Sequence, residues 1–445
     1  MPRNRVIYQS QAVSVTSDKV SFDADAVTDG SISGLQRIQS ANYSFTVGRQ
    51  DVNQFGDLAA IDRIIVDSPT VSFDTSYYLA NFTNERSLGF FVTPSGDTTF
   101  KSCVTDIIST GAADGVHLGN NQKNYFITTT KEGTDANDDF TTGNYESTIG
   151  IGNGFLTSYS SEASVGGLPT VSVSVEGQNM NFVNTPYQGK GSNPANSATR
   201  NTANGFATGV GERGGNTLFA ISGESPAVDA TNGQKVGKFV NIPVGSGLGG
   251  TGITAISSLR PGDVTLSLTP KTSDAIVAIA DSNGVVAPDY AGMSISDAHI
   301  QSYTLSFDLS RTPIQQLGNR FAFARAVDFP ITCSLSIDAV LSDLTTGALA
   351  DIIDCDKEYD AQIKLRDPVC IPGASDAGGK PVVCSYFVKG LKIDSQSFTA
   401  SIGDNKSVTL DMTSQIGGPE QSGHGVFMSG FYNTQQTITE HGTMA

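Results

Sequence analysis

Residues 38–63 align without gaps on residues 300–325 with ten identities, where unrelated stretches of average composition share about one or two. The run Ile38-Gln39-Ser40 returns as Ile300-Gln301-Ser302, and the alignment ends with Arg63 on Arg325. A second block follows in the same order. Ala163-Ser164-Val165-Gly166 returns as Ala400-Ser401-Ile402-Gly403, and Thr170-Val171-Ser172-Val173 falls on Ser407-Val408-Thr409-Leu410. Two matched blocks in matched order imply a duplicated domain, so whatever one half folds into, the other half must also be able to form.

Both copies carry period-2 patterns. Ala41, Tyr43, Phe45 and Val47 alternate with Ser40, Asn42, Ser44 and Thr46, and Tyr303, Leu305, Phe307 and Leu309 alternate with Ser302, Thr304, Ser306 and Asp308. Downstream, Val71, Phe73, Thr75 and Tyr77 oppose Ser72, Asp74 and Ser76. In the second copy Ile331, Cys333, Leu335 and Ile337 oppose Thr332, Ser334, Ser336 and Asp338. Such alternation predicts half-buried antiparallel strands. Their polar faces hold hydroxyls and a few acids, with no Lys or Arg. Each pair of strands is separated by a long connection, 48–68 and 310–329, with Arg, Gln and Gly at matching places. A short helix is expected after each second strand. One begins at Thr83-Asn84-Glu85 and the other at Ser342-Asp343 before 344–353, both opening with a capping residue type and an early acid. The chain therefore reads as mainly β. Strands at 12–15 and 264–268 would open the two copies. The stretch 181–254, dominated by Gly, Asn, Ser and Thr, has no counterpart and reads as a connection with loops, interrupted at most by a strand over 238–244.

The motifs for chemistry are weak. Gly247, Gly249 and Gly252 satisfy G-x-G-x-x-G, but the segment after them ends at Arg260-Pro261-Gly262, too short for the helix a dinucleotide needs. Asp135, Asn137, Asp139 and Glu146 have the spacing of EF-hand ligands. Phe140 stands where that loop requires Gly, so a solvated acidic loop competes with a calcium site. His117, His299, His424 and His441 lack metal-ligand spacing, and no G-x-S-x-G elbow occurs. No catalytic residue and no cofactor is expected. Cys103, Cys333, Cys355, Cys370 and Cys384 contain no C-x-x-C pair; a bridge between Cys370 and Cys384 is compatible with the spacing, and reduced thiols are the default. No run approaches 18 apolar residues, the nearest (61–66) being broken by Asp62 and Arg63, and the first ten residues lack the apolar core of an export signal. A formal net charge of −17 argues against gripping nucleic acid through its phosphates. It leaves room for nucleic acid that slides past.

The segment Arg37-Ile38-Gln39-Ser40-Ala41-Asn42-Tyr43-Ser44-Phe45, continuing through Arg49-Gln50-Asp51-Val52-Asn53-Gln54-Phe55-Gly56, resembles the major tail tube proteins of tailed bacteriophages. Asp67-Ser68-Pro69-Thr70-Val71-Ser72-Phe73 and the segment from Asn84-Glu85 to Leu88-Gly89-Phe90 extend the resemblance, which covers about 5–180 directly and 256–440 through the repeat. It implies two tandem antiparallel β-sandwich domains, each with a short flanking α-helix. Their boundaries would be 1–185 and 256–445, with 186–255 as the connection. It further implies a β-lined ring of six such domains, here a homotrimer, with rings stacking into a tube in the virion tail after assembly in the host bacterial cytoplasm. Long Gly- and Asn-rich loops would serve stacking or decorate the exterior. Phage DNA would be a passing cargo, with sheath, tape measure, baseplate and terminator proteins as further partners and no membrane. The channel lining would comprise Ser40, Asn42, Ser44, Thr46, Ser72, Asp74, Ser302, Thr304, Ser306, Asp308, Ser334 and Ser336. The competing account makes these faces the solvated outside of a sandwich. Competing roles are another phage ring or capsid decoration protein, or a secreted adhesive β-protein; absence of Trp and of an export signal weighs against the last.

Overall fold

The period-2 segments are strands, and the same succession of pairings occurs twice along the chain. The computed structural model describes residues 11–16, 32–66, 70–94, 100–108, 123–130, 145–177, 179–183, 227–228, 235–236, 259–270, 298–314, 324–341, 358–367, 382–399, 405–419, 421 and 423–430. The first elements are β1 (Gln11–Thr16), β2 (Ile32–Leu35), β3 (Ile38–Thr46), β4 (Arg49–Val52), β5 (Asp62–Ile65) and β6 (Thr70–Tyr78). Then come α1 (Thr83–Leu88), β7 (Val92–Pro94), α2 (Thr105–Ile108), β8 (Lys123–Thr130), β9 (Tyr145–Ser164), β10 (Thr170–Gly177) and β11 (Asn179–Val183). A two-residue pair, β12 (Ala227–Val228) and β13 (Lys235–Val236), lies in the connection. The second half holds β14 (Val264–Pro270), β15 (Ala298–Asp308), β16 (Arg311–Ile314), β17 (Ala324–Val327) and β18 (Ile331–Leu341). It ends with β19 (Tyr359–Arg366), β20 (Val382–Thr399), β21 (Ser407–Ile416) and β22 (Gly425–Gly430).

Antiparallel pairing runs β1–β8–β9–β10–β6–β3. It runs again as β14–β19–β20–β21–β18–β15. β11 joins the first part of β9 as β22 joins the first part of β20. The two successions meet where β15 pairs with the end of β9. A parallel contact between β22 and β7 ties the halves a second time. Sixteen strands are linked in this way.

β9 and β20 each belong to two layers. Residues up to Gly154 pair with β8, while those from Phe155 onward pair with β10. Gly154 sits at this crossing because a Cβ there would lie 2.6 Å from the Tyr125 ring and 2.8 Å from Val175. In β20 the crossing falls between Leu391 and Lys392, just after Gly390, whose φ of +70° is cheap only for glycine, and whose N–H is anchored on Asp360 Oδ1 at 3.0 Å. The layers enclose one contiguous core. Val71, Phe73 and Tyr77 of β6, Val171, Val173 and Val175 of β10, and Leu305 and Phe307 of β15 are buried in it with Leu335, Leu410, Tyr159 and Tyr386. Each fully buried side chain of this size is worth about 1.5–3 kcal/mol over leaving it in water.

Three features depart from the sequence expectation. Tyr43 and Phe45 are 41% and 60% exposed, although their pattern marks a half-buried strand and their counterparts Leu305 and Phe307 are buried. The reason is position: β3 ends the sheet, whereas β15 is flanked by β9 and β18. The connections 48–68 and 310–329 hold hairpins, β4–β5 and β16–β17, rather than irregular chain. Helix α1 does form, but without a side-chain cap of its own at Phe82, which adopts a left-handed φ of 62°. Asn84 instead accepts from the Gln36 N–H at 2.9 Å and donates to its carbonyl at 2.8 Å, clamping the helix to the end of β2. The second expected helix (342–353), the strand over 238–244 and the glycines at 247–252 lie outside the described residues.

Candidate channel face

Behind the core lies a continuous polar face. It crosses eight strands in the order β3, β6, β10, β9, β15, β18, β21 and the end of β20. Because strand side chains alternate, every second residue of each strand points to it. Cross-strand register brings Asn42 opposite Asp74, Ser44 opposite Ser72, and Ser174 opposite both Asp74 and Ser158. Ser160 lies opposite Ser306, and Ser306 opposite Ser334. Ser336 is opposite Asp411, and Asp411 opposite Ser395. The face is partly or fully exposed throughout.

Hydroxyls and carboxylates on this face satisfy one another. Ser40 and Ser76 hydroxyls are 2.5 Å apart, and those of Ser44 and Ser72 are 2.6 Å apart. Ser302 and Thr409 both donate to Asp338, at 2.8 and 2.6 Å. Ser336 and Ser395 both donate to Asp411 at 2.7 Å, and these two hydrogen bonds hold its carboxyl below the usual carboxylate range. β3, β6, β9, β10, β15, β18 and β21 contain no Lys or Arg at all. The Lys and Arg residues of these eight strands are Lys389 and Lys392, both in β20. An anionic polymer meets mainly acids and neutral dipoles here, with the exposed Lys392, opposite Thr413, as the Lys on these strands placed to replace a counterion.

All twelve residues proposed from the sequence as a lining fall on this one face, from Ser40 to Ser336. The lining read from the sequence left out Ser172 and Ser174 of β10, Ser395 of β20, Thr409 and Asp411 of β21, and Ser158, Ser160 and Glu162 of β9, which share the face. Their signal was present: Tyr159, Ser161 and Ala163 alternate with them, but Ser161 blurs the apolar register. Of the spaced acids, Asp135, Asn137 and Asp139 lie outside the described residues, and Glu146 falls in β9. Among the described residues no group of three or more His, Cys, Asp or Glu is placed to hold a metal ion. Cys103, Cys333 and Cys384 are buried free thiols, so Cys384 is unbridged; its thiol donates to the Ala80 carbonyl. Cys370 is outside the described residues. No described helix is long and apolar enough to cross a membrane.

Two hairpins stand at the end of the face, and they differ in surroundings. Arg325 of β17 reaches across to Glu176 of β10, and Arg311 of β16 lies over the Phe155 ring at 4.9 Å. Burial lowers the Arg311 guanidinium to about 10. The matching Arg63 of β5 instead pairs with Asp51 of its own hairpin at 3.1 Å. The tip of that first hairpin presents Phe55 and Leu58 fully to solvent, with Ile61, Ile64 and Ile65 around half exposed.

On the apolar side of the sheet, the Glu85 carboxyl is almost fully buried. Glu85 of α1 accepts from Tyr77 at 2.9 Å and Tyr159 at 3.3 Å. Tyr159 and Tyr386 hydroxyls are 2.7 Å apart. The cluster joins α1, β6 and β9 to β20 of the other half. Desolvation raises the Glu85 carboxyl to about 7, offset in part by its hydrogen bonds. Burial likewise pushes the three phenols well up.

No protein-family profile and no curated protein sequence matches the chain. Among solved structures it is similar to a chain of the anti-feeding prophage baseplate, at 11% identity over 28% of this chain and 77% of that one, with a TM-score of 0.21. It is also similar to a chain of the tail of an empty gene transfer agent particle, at 18% identity over 26% and 78%, TM-score 0.18. A chain of the native gene transfer agent virion is similar at 16% identity over 27% and 86%, TM-score 0.18.

Proposed function

We propose that this chain is a structural, non-catalytic subunit of a phage tail tube. In this reading 1–185 and 256–445 are two tube domains joined by 186–255, three chains form a pseudo-hexameric ring, and stacked rings enclose the path of DNA ejection into the host. The observation that carries the reading is the polar face. It runs without interruption from one repeat into the other through the β9·β15 pairing, and seven of its eight strands lack any cation. A conduit needs that chemistry, because every Lys held against a phosphate would add a salt-dependent hold on the moving polymer. The exposed apolar tip of β4–β5 supports stacking contacts between rings, since large apolar side chains fully in water mark an interaction surface. Sheath, tape measure, baseplate and terminator proteins are the partners such a tube would meet.

Negative-stain microscopy of the purified protein is expected to give hollow tubes whose mass per ring equals three chains. Isolated rings would point to a terminator or baseplate role, and monomers at high concentration would overturn the tube. A photocrosslinker attached to cysteine at Ser306 is expected to label DNA during ejection, while one at Gln50 on the first hairpin stays unlabelled. Labelling at neither site would make the polar face the outside of the assembly.

A further inference from the structure

The β9·β15 seam inside the chain is a template for a seam between chains. In it the end of β9 pairs with β15 antiparallel, with Glu162 opposite Thr304, Ser160 opposite Ser306 and Ser158 opposite Asp308. By the repeat, β15 corresponds to β3, and the end of β9 corresponds to the end of β20. These two strand edges terminate the polar sheet: β3 pairs only with β6, and residues 392–399 of β20 pair only with β21, among the described residues. We infer that β3 of one chain pairs antiparallel with the end of β20 of a second copy. The register places Asn42 opposite Thr399, Tyr43 opposite Phe398, Ser44 opposite Ser397, Phe45 opposite Gln396 and Thr46 opposite Ser395.

The register follows from two independent offsets. Ser44 aligns on Ser306 and Phe45 on Phe307 in the gapless repeat. Ser397 aligns on Ser160 because Thr409, its partner in β21, aligns on Ser172, the partner of Ser160 in β10. A shift by one residue would turn apolar side chains onto the polar face, so the pattern itself holds this register. The exposed apolar groups on these strands sit where it needs them. Phe45 is 60% exposed and Phe398 is 45% exposed, whereas the corresponding internal seam is buried from Tyr159 to Phe307. Long open edges with apolar flanks are templates for pairing. The two edges differ, so the contact is head-to-tail and propagates from chain to chain.

The hairpins agree. Across the internal seam Arg325 finds Glu176 and Arg311 finds Phe155. At the corresponding places β20 and β21 offer Lys392 and Thr413, which pair with each other and supply no acid. The first hairpin accordingly carries its own acid, Asp51, where the second has Pro313.

The inference rests on the tube reading only for the number of chains that close a ring. Its test is a disulfide scan on the full chain, with Cys355 and Cys370 replaced by Ser. Val165 N–H bonds the Gln301 carbonyl and Leu309 N–H bonds that of Thr157. Ser306 and Ser160, three residues before Leu309 and five before Val165 respectively, therefore form one of the non-hydrogen-bonded pairs, in which side chains approach most closely. The pair S44C/S397C should inherit that geometry. Oxidation is expected to link these chains into multimers on a non-reducing gel, up to a closed trimer. S44C/S395C, displaced by two residues, should lose the band because its Cβ atoms are too far apart for a bridge. Neither single variant should link. Dimers from S44C alone would overturn the head-to-tail contact in favour of β3 on β3. Tubes without an S44C/S397C link would overturn the register and leave the tube reading intact, while linked chains that never form tubes would do the reverse.

Discussion

Tyr159→Ala is expected to destabilise the chain by about 4 kcal/mol. Removing a buried aromatic ring costs about 3–5 kcal/mol through lost burial and the cavity left behind, and this ring has little room to be replaced. Tyr159 is fully buried, stacks on Phe307 at 5.3 Å and meets Phe90 edge-on at 5.0 Å. It also lies opposite Phe307 in the β9·β15 seam, so the cavity opens where the two halves join. Tyr159→Phe keeps the ring and removes the hydroxyl between Glu85 and Tyr386. Its loss is expected to be smaller, about 1–3 kcal/mol, the range for stranding a buried partner. Urea denaturation of the three proteins separates the two contributions. Equal losses for Ala and Phe would assign the whole effect to the hydroxyl and refute the packing account. Phe45→Ala supplies the contrast. It stands at the repeat position of Phe307 but is largely exposed, so in the unassembled chain its effect should stay within about 0.5 kcal/mol. The same change should matter only once a second copy covers the edge.

That contrast also marks where the sequence stops being informative. Alternation in 40–47 and 302–309 identifies strands and sorts their faces, because side-chain direction is local. Whether an apolar strand face is covered is not local. Phe45 and Phe307 carry the same letter in the same pattern, and only the neighbour across the strand edge separates them. The repeat foretold that each half could form the same pairings; it contained no signal that the end of β9 would receive β15. Gly154 was legible only as one glycine in a Gly-rich run, although its neighbours Tyr125 and Val175 leave room for no other residue. The hairpins were hidden for a different reason. In the first of them the apolar residues face solvent, so it lacks the alternation by which a half-buried strand is read. Asn84 and Glu85 looked like ordinary residues of a helix start. Their partners, Gln36 just after β2 and Tyr77 of β6, come from segments that no local pattern connects to that helix.

Glu85 is the position at which that hidden contact should be measurable by pH. Its carboxyl lies at about 7 in the fold against an ordinary 4.5. Below pH 4.5 both folded and unfolded chains hold the proton, and Glu85 contributes no pH dependence. Between 4.5 and 7 the unfolded chain releases it while the folded chain keeps it, so stability falls as pH rises. Above 7 both forms are ionised and the loss is complete. A difference of about 2.5 pKa units corresponds to about 3 kcal/mol. Glu85→Gln cannot ionise, yet its amide oxygen can accept from Tyr77 and Tyr159. The stability of the variant relative to wild type should therefore rise by about 3 kcal/mol from pH 4.5 to 7.5, whatever the other carboxylates do, since they are common to both proteins. Urea midpoints taken across that range give the difference directly. A flat difference would mean that the folded carboxyl ionises as an exposed one does, and that the tyrosine cluster joining α1 to β20 is open to water.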